Sequence, residues 1–222
     1  ETFKPISPER IELIENGINF DHYHTVAQEK GRKNRFIFVG RFSKNKRIDK
    51  LLDLVARLKT EFPDVHLSVV GRDYDHLKGE FLNLIERYDI GHHVTICEAL
   101  SEEDLLKEMA EAAYFISASE YEGFGLSSLE AMAGGRTAFL SQIPSFKKMV
   151  SDGKNGYLVD FEDMDSAAEK IKQVLRSGGH DSVRFAGVET ARQHSWGAIV
   201  DKFISMYEMV QNEETAPVSK VK

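Results

Sequence analysis

The chain has 222 residues, which is enough for one α/β domain with a substantial buried core. Its 36 acidic and 29 basic side chains give a formal net charge of -7, so the protein offers no overall basic field to nucleic acid or to an anionic membrane. A single cysteine, Cys97, excludes an intrachain disulfide and indicates a reducing, cytoplasmic compartment.

The N-terminal sequence, ETFKPISPER, has neither the basic region nor the apolar region of a secretory signal. Apolar runs elsewhere are too short to span a membrane. We therefore expect a soluble, intracellular protein. Because the chain does not begin with methionine, we also expect it to be a piece of a longer protein.

Residues 10–19 predict a short strand followed by an Asn-Gly turn, and residues 27–34 predict a polar loop. Short runs rich in β-branched and aromatic residues then alternate with segments whose apolar residues recur every three or four positions. The runs predict strands at 35–41, 65–73, 93–100, 112–119 and 136–141. The periodic segments predict helices at 48–62, 77–89, 101–112, 126–135, 163–179 and 195–210.

The predicted strands are mostly continuous apolar runs, which is typical of strands covered on both faces. Alternation of strand and helix implies right-handed crossovers. We therefore predict an α/β fold with a doubly wound, mainly parallel, Rossmann-like sheet and helices on both faces. Residues 1–210 are expected to form this domain, and residues 211–222, which have little to bury, are expected to form a disordered tail.

Ligands of such sheets bind beyond the carboxyl ends of the strands, and the loop SEYEGFG (119–125) lies at that edge. Gly123 and Gly125 let the backbone approach a ligand, while the free amides of the helix that follows favour an anion. Glu122 in the turn and Glu130 on the helix can both reach a ligand there, and two carboxylates suit the hydroxyl groups of a sugar and a ribose. Each glutamate taken alone also fits a solvated surface charge.

The loop VGRFSKNK (39–46), which follows an apolar strand, starts a local basic cluster in an acidic protein. Arginine and lysine at such a rim can hold phosphate oxygens, although a solvated basic loop is the alternative. A third strand end places Gly71 and Arg72 at the same edge. No histidine has metal-ligand spacing or an evident acidic partner in sequence, so we expect no metal. The cluster consists of Arg41, Lys44, Lys46 and Arg47.

Together these residues resemble the C-terminal, donor-binding half of retaining glycosyltransferases with the GT-B fold, specifically glycosyltransferase family 4 (glycosyl transferases group 1). The resemblance runs from residue 15 to residue 208. Its most specific element is the segment from Glu122 to Glu130, which matches the family pattern of two glutamates separated by seven residues. VGRFSKNK and SDGKNGYLV (151–159) match two further family elements.

The resemblance implies a role for each motif residue. Arg41 and Lys46 bind the donor diphosphate and balance charge on the departing nucleotide, and Glu122 holds hydroxyls of the transferred sugar near the reacting carbon. Glu130 holds the nucleotide ribose. Further donor contacts are implied at Gly40, Gly71, Arg72, Gly123, Phe124, Gly125 and Leu126. The donor is a substrate, and the resemblance implies neither a cofactor nor a metal.

The chain departs from the family pattern at three positions. Arg47 stands where a glycine commonly follows the motif lysine, Thr137 replaces a usual proline, and Lys148 occupies a position that is often glutamate. A larger departure is that the N-terminal, acceptor-binding domain of these enzymes is absent from this chain. The resemblance places any peripheral association with the inner face of a membrane in that missing domain.

The leading hypothesis is the donor-binding domain of a hexosyltransferase that moves a sugar from a nucleotide diphosphate sugar to a glycan or a lipid-linked acceptor, with nucleic acid excluded as a partner. The sequence GRFSKNKRID resembles polysaccharide mannosyltransferases, which favours GDP-mannose slightly over UDP-sugars. A fragment without the acceptor domain is expected to bind nucleotide and catalyse little. The alternatives are a non-catalytic nucleotide-sugar-binding module and, ranked lower, a glycosidase that uses the two glutamates.

Overall fold

A computed structural model describes residues 12–178 and 181–215, and its centre is a parallel sheet of six strands in the order β3-β2-β1-β4-β5-β6. This confirms the predicted doubly wound fold. The chain moves outward from β1 through β2 to β3 and then returns to the other side of β1, so a crevice opens between the loops that follow β1 and β4. The strands are β1 Arg32–Val39, β2 His66–Gly71, β3 Val94–Glu98, β4 Ala112–Ser117, β5 Thr137–Ser141 and β6 Tyr157–Val159.

Helices cover both faces of this sheet, with one hydrophobic cluster on each side. One cluster packs α2, α3 and α7, and the other packs α1, α4, α5, α6 and most of α8. The helices of the described residues are α1 Phe20–His24, α2 Ile48–Leu58, α3 Lys78–Arg87, α4 Glu102–Glu111, α5 Leu126–Ala133, α6 Pro144–Met149, α7 Met164–Ser177, α8 Asp181–Arg192 and α9 Trp196–Thr215.

The central strands divide their side chains between the two clusters in strict alternation. In β1, Phe36 and Phe38 enter one cluster while Ile37 enters the other, and in β4 Ile116 and Phe115 separate in the same way. Successive side chains of a strand point to opposite faces. Continuous apolar runs are therefore what this two-sided core requires.

The predicted strands from residue 35 to residue 141 and the six predicted helices are confirmed with shifted ends. The strand predicted within 10–19 is wrong for its described part, where residues 12–17 form no regular element and Ile18 makes only a single bridge to Ser195. Among the α-helices and strands of the described residues, four were not predicted. Three of them, two helices and a strand, have six residues or fewer, which is too short for a periodic signal. The fourth is the twelve-residue α8, whose helical pattern is weakened by Gly187 and by β-branched residues. The missed elements are α1, α6, α8 and β6.

The C-terminal helix is longer than the sequence predicted. Helix α9 continues to Thr215, so residues 211–215 are helical and the expectation of a disordered tail is wrong for them. Glutamine and glutamate in this segment are good helix formers, and neither glycine nor proline interrupts them. The rest of the predicted tail, residues 216–222, lies outside the described residues.

Arg136, just before β5, is a fully buried cation with 1% exposure. Its guanidinium donates hydrogen bonds to carbonyl groups at the ends of α1, α4 and α5, and carbonyls at helix C-termini carry partial negative charge. Burial lowers the pKa of Arg136 to about 10, which leaves it charged at neutral pH. The next residue, Thr137, begins β5, a strand position that also accepts the proline usual in the family. The acceptors are the carbonyl oxygens of Val26, Glu29, Met109, Ala110, Ala112 and Gly134.

We expect Arg136→Met to lower the free energy of unfolding by about 3 kcal/mol or more, because buried carbonyl groups lose their only charged donor. Arg136→Lys is expected to fall between wild type and Arg136→Met, since an ammonium has three donors and no planar fork. Urea denaturation measures the change. The control is Arg87→Met on the exposed end of α3, expected to change stability by less than about 0.5 kcal/mol. Equal losses for Arg87→Met and Arg136→Met would contradict the role assigned to Arg136.

Candidate functional site

The loops that follow β1 and β4 are joined to each other by Asn45. Its carbonyl oxygen accepts from the Glu120 amide at 2.8 Å, and its side-chain amide donates to the Tyr121 carbonyl at 3.2 Å. The Ser43 hydroxyl in turn donates to the Asn45 side-chain oxygen at 2.7 Å. Asn45 was not among the predicted site residues. In the sequence, Asn45 is marked only by its position between the two basic residues Lys44 and Lys46. Residues Lys44–Lys46 form one short 3-10 helix.

Lys46 and Glu122, predicted at the same rim, form an ion pair across these two loops. The Lys46 Nζ lies 2.5 Å from Glu122 Oε1, and each side chain is only 14% exposed. The Ser119 hydroxyl donates to the same carboxylate oxygen at 2.8 Å. The hydroxyl oxygen of Ser117 lies 2.9 Å from that of Ser119. Two donors therefore hold the carboxylate, and the nearby opposite charge offsets the loss of solvation for both ions.

Arg41 and Arg72, at the ends of β1 and β2, are exposed cations at the same edge of the sheet. In the described part of the chain Arg41 forms no ion pair or hydrogen bond, and the Arg72 guanidinium lies 3.5 Å from the Tyr74 hydroxyl. A side chain at Gly71 would place its Cβ 1.9 Å from the carbonyl oxygen of Gly40. Glycine at 71 is thus required by the close approach of two strand ends, whatever contact it makes with a ligand.

Arg47 adopts the left-handed conformation, with φ 49° and ψ 47°, at the position where the family commonly has glycine. Such a conformation costs a residue with a Cβ about 1–2 kcal/mol. In this chain the Arg47 side chain forms ion pairs with Asp49, at 3.0 Å, and with Glu120. These contacts turn the side chain of Arg47 toward α2 and Glu120, whereas Lys46 faces Glu122.

The turn from Glu122 into α5 contains two glycines, Gly123 and Gly125, whose surroundings differ in how much space they leave for a side chain. Gly125 has φ +93°, and a Cβ there would lie 2.7 Å from the ring of Phe146. Gly123 has no atom within 4 Å of the Cβ position, so its missing side chain leaves open space. The amides of Phe124, Gly125 and Leu126 precede the first full turn of α5, so the helix supplies no acceptor for them. Their partial positive charge suits an anion.

Glu130, on the second turn of α5, is directed away from Glu122 and toward α1 and α4. The ionisable groups around its carboxylate are Tyr23, His22 and Glu102. Burial raises the pKa of Glu130, while the nearby Tyr23 and His22 act in the opposite direction. The two predicted glutamates therefore lie on different sides of the start of α5.

A cavity of about 1050 Å³ opens beside the Lys46–Glu122 pair. Residues 122–127 form one wall, and residues 13–16, α6 and α8 form the other. Lys148, which replaces a usual glutamate, is exposed on the α6 side of this cavity. Glu130 is not part of the lining.

His194 lies in the cavity wall and corrects the prediction that no histidine has an acidic partner. Its Nε2 is 3.1 Å from Glu15 Oε2, its Nδ1 is 2.9 Å from the Thr190 carbonyl oxygen, and its ring centre is 5.6 Å from that of Phe124. Both partners are acceptors, so both bonds form together only on the protonated imidazolium. Sequence could not reveal this contact because 179 positions separate His194 from Glu15.

Two further features concern metals and membranes. Within residues 12–178 and 181–215, histidine, cysteine, aspartate and glutamate form no group of three or more that could hold a metal ion. In the same ranges, no helix combines the length and apolar character needed to cross a membrane.

Comparison with known proteins gives one family match. The model of the family described as glycosyl transferases group 1 matches residues 19–193. Among curated proteins, the chain is 28% identical over 207 residues to the GDP-mannose:cellobiosyl-diphosphopolyprenol alpha-mannosyltransferase of Xanthomonas campestris, covering 92% of the chain and 54% of the relative. It is also 28% identical over 207 residues to the phosphatidyl-myo-inositol mannosyltransferase of Mycobacterium leprae (strain TN), covering 89% of the chain and 53% of the relative. The chain thus spans about half the length of the curated relatives it matches.

Solved structures share the fold at low sequence identity. A glycosyltransferase from Rickettsia africae ESF-5 superposes with a TM-score of 0.78 at 19% identity, covering 93% of this chain and 59% of that protein. Anabaena Alr3699/HepE in complex with UDP and glucose superposes with a TM-score of 0.75 at 19% identity, covering 90% and 56%. These neighbours confirm the Rossmann-like fold.

The two glycines of the turn are expected to respond differently to alanine. Gly125→Ala should lower the free energy of unfolding by about 2 kcal/mol or more, because it combines a strained φ with a clash against Phe146. Gly123→Ala should change it by less than about 0.5 kcal/mol, since nothing in the protein occupies the added volume. Thermal and urea unfolding of the pair measure the difference. Similar losses at both positions would contradict the geometry of this turn.

Proposed function

The chain belongs to the glycosyl transferases group 1 family, and from this premise we propose that it is the donor-binding half of a retaining hexosyltransferase of glycosyltransferase family 4. The proposed reaction moves a sugar from a nucleotide diphosphate sugar to a glycan or a lipid-linked acceptor. The observation that carries the proposal is the Lys46–Glu122 pair at the amino end of α5. In this pair a cation that can bind phosphate oxygens lies beside a carboxylate that can accept hydrogen bonds from sugar hydroxyls.

The closeness of these two ions matches the chemistry of the donor. In a nucleotide diphosphate sugar, the anomeric carbon is bonded directly to a phosphate oxygen, so sugar hydroxyls and phosphate oxygens lie a few atoms apart. Lys46 has three N–H donors, and its contact with Glu122 uses one of them. The others can meet the diphosphate while Glu122 accepts from a sugar hydroxyl.

The proposed chemistry follows the charge that develops as the bond between the sugar and the phosphate breaks. Positive charge grows at the anomeric carbon and negative charge grows on the diphosphate, so cations fixed at the leaving group lower the barrier. Arg41 and Lys46 serve as these cations, and Glu122 holds the sugar near the reacting carbon. The scheme requires neither a metal nor a cofactor.

The remaining donor contacts in the proposal surround this centre. The amides of Gly123, Phe124, Gly125 and Leu126 meet the sugar and the phosphates at the positive end of α5. Glu130, beyond them on α5, accepts from the ribose hydroxyls. The ends of β1 and β2 border the nucleotide through Gly40, Gly71 and Arg72.

We favour GDP-mannose as the donor, with UDP-sugars close behind. GDP-mannose is supported by the two mannosyltransferases among the relatives, one of which is named for GDP-mannose. UDP-sugars are supported by the structural neighbour that was solved with UDP and glucose. The chain covers 54% and 53% of these two relatives, so we propose that the acceptor domain corresponds to the part of the relatives that the chain does not cover. On this view the present chain binds nucleotide but catalyses little, because transfer needs both substrates held together. A cytoplasmic location at the inner face of a membrane stays a prediction.

Calorimetric titration of the chain with GDP, UDP and ADP tests the donor site. We expect one diphosphate to bind best, with GDP favoured, and Arg41→Met to weaken its binding about tenfold through loss of a charge-assisted hydrogen bond. Arg87→Met, which removes an equivalent charge far from the rim, should leave the affinity unchanged. Equal binding by wild type and Arg41→Met would contradict the assignment. Binding without sugar transfer in the longer protein would favour the non-catalytic module.

The raised pKa of Glu130 predicts how nucleotide affinity depends on pH. Above that pKa the carboxylate is ionised and accepts from both ribose hydroxyls, and below it the protonated acid loses acceptor capacity. As pH falls, affinity should therefore drop at a higher pH than an ordinary glutamate would cause. Glu130→Gln should lack this part of the pH dependence, while the ligand phosphate and the neighbouring side chains His22 and Glu102 are the same in both proteins. Parallel pH profiles for wild type and Glu130→Gln would contradict this role.

A further inference from the structure

His194 lies between α8 and α9, and its backbone is tied to the segment of residues 12–18. The Ile18 amide donates to the His194 carbonyl oxygen at 2.8 Å, and the Trp196 amide donates to the Ile18 carbonyl oxygen at 3.1 Å. A Cβ at Gly17 would lie 2.7 Å from the Trp196 ring, so the two segments are in close contact. These contacts fix the point from which the side chain of His194 reaches the cavity.

The imidazole of His194 has a hydrogen-bond acceptor at each of its nitrogens. Nδ1 lies 2.9 Å from the Thr190 carbonyl oxygen, Nε2 lies 3.1 Å from Glu15 Oε2, and the side chain is only 16% exposed. Thr190 is itself held, because its hydroxyl donates to the Ala186 carbonyl oxygen at 2.9 Å and accepts from the Asn155 amide at 2.8 Å. Both bonds of the imidazole form together only while both ring nitrogens carry protons.

The ring of His194 contacts Phe124 in the turn that precedes α5. The two ring centres are 5.6 Å apart with an angle of 58° between the planes, and Phe124 also packs against the hydrophobic cluster on the α5 side of the sheet. Phe124 stands between Gly123 and Gly125, and glycine gives the backbone more freedom than any other residue. The side chain of Phe124 therefore anchors this turn, and the amides of the turn move with it.

One of the charged side chains around His194, the Glu15 carboxylate, contacts the ring directly. The others that line the cavity, or that lie close in the chain on α8 and in residues 12–16, either pair with each other or are exposed to solvent. They are Glu12, Lys46, Glu122, Lys148, Glu189 and Arg192. In the described part of the chain, Glu15 is thus the carboxylate that binds the protonated ring.

We propose that His194 is a positioning residue for the turn at residues 122–125: its imidazolium, held by Glu15 and Thr190, fixes the Phe124 ring and with it the amides that bind the donor diphosphate. The inference rests on the proposed function, because it assumes that these amides meet the diphosphate. Loss of one proton leaves the ring a single N–H donor, so one of the two bonds is lost. The looser turn must then be ordered when the ligand binds, which lowers the affinity.

The test titrates GDP, UDP and ADP calorimetrically and follows the one that binds best from about pH 6 to about pH 9. In Glu15→Gln the glutamine amide can donate to the unprotonated nitrogen, so both bonds form on the neutral ring. We therefore expect the affinity of wild type, relative to that of Glu15→Gln, to fall about fivefold across this range. The ratio cancels titration of the ligand phosphate, which is the same in both proteins. Glu86→Gln, the same change on the exposed side of α3, should follow the wild-type profile.

A second variant separates positioning from direct attraction between the imidazolium and the ligand. His194→Phe keeps a ring against Phe124 and removes both hydrogen bonds, so its affinity should be as low as that of wild type at high pH and should lack the fall. Where this variant is too unstable to titrate, the ratio of wild type to Glu15→Gln decides alone.

The possible failures of the two proposals are distinguishable. If a nucleoside diphosphate binds and the pH profiles of wild type and Glu15→Gln are parallel, the positioning role is wrong and the proposed function stands. If none of the three diphosphates binds at any pH, the proposed function fails and the role of His194 fails with it.

Discussion

The adjacency of β1 and β4 in the sheet is the constraint on which the candidate site depends. Because β2 and β3 lie on one side of β1 and β4 lies on the other, the loops after β1 and β4 emerge side by side. Lys46 and Glu122 are 76 positions apart in the chain, yet this arrangement brings them into contact. The backbone hydrogen bond between Asn45 and Glu120 fixes the two loops in register. Cation and carboxylate are thus positioned by the strand order rather than by either loop alone.

The charged side chains with little solvent exposure have three kinds of surroundings, which differ in how they offset the cost of removing a charge from water. Lys46 and Glu122 neutralise each other, while Arg136 is satisfied by carbonyl groups at three helix ends. Glu130 forms no ion pair within the described residues, and burial raises its pKa. The six carbonyl groups around Arg136 leave it little demand for a further partner, whereas Lys46 keeps N–H donors that its contact with Glu122 does not use.

Sequence patterns predicted the sheet, the long helices and the segments that meet at its edge, because these depend on apolar periodicity and turn residues. The pairing of Lys46 with Glu122 was not predicted, since spacing along the chain does not tell which side chains meet across two loops. His194 was missed for a related reason, because its partner Glu15 lies near the other end of the chain. The roles assigned by resemblance stay predictions. Of the two glutamates that received them, Glu122 lines the cavity and Glu130 faces α1 and α4 instead.

The placement of the two glutamates restricts the shape of any ligand that contacts both. Glu122 stands in the turn before α5, and Glu130 lies four residues after Leu126, the first residue of the helix, which is about 6 Å along its axis from that start. A ligand that reaches from one to the other must cross the first turn of α5, where the amides of Phe124 and Gly125 are free of helical acceptors. The middle of such a ligand therefore lies against the positive end of the helix dipole. An extended molecule with hydroxyl groups at both ends and negative charge between them satisfies all three parts of this surface.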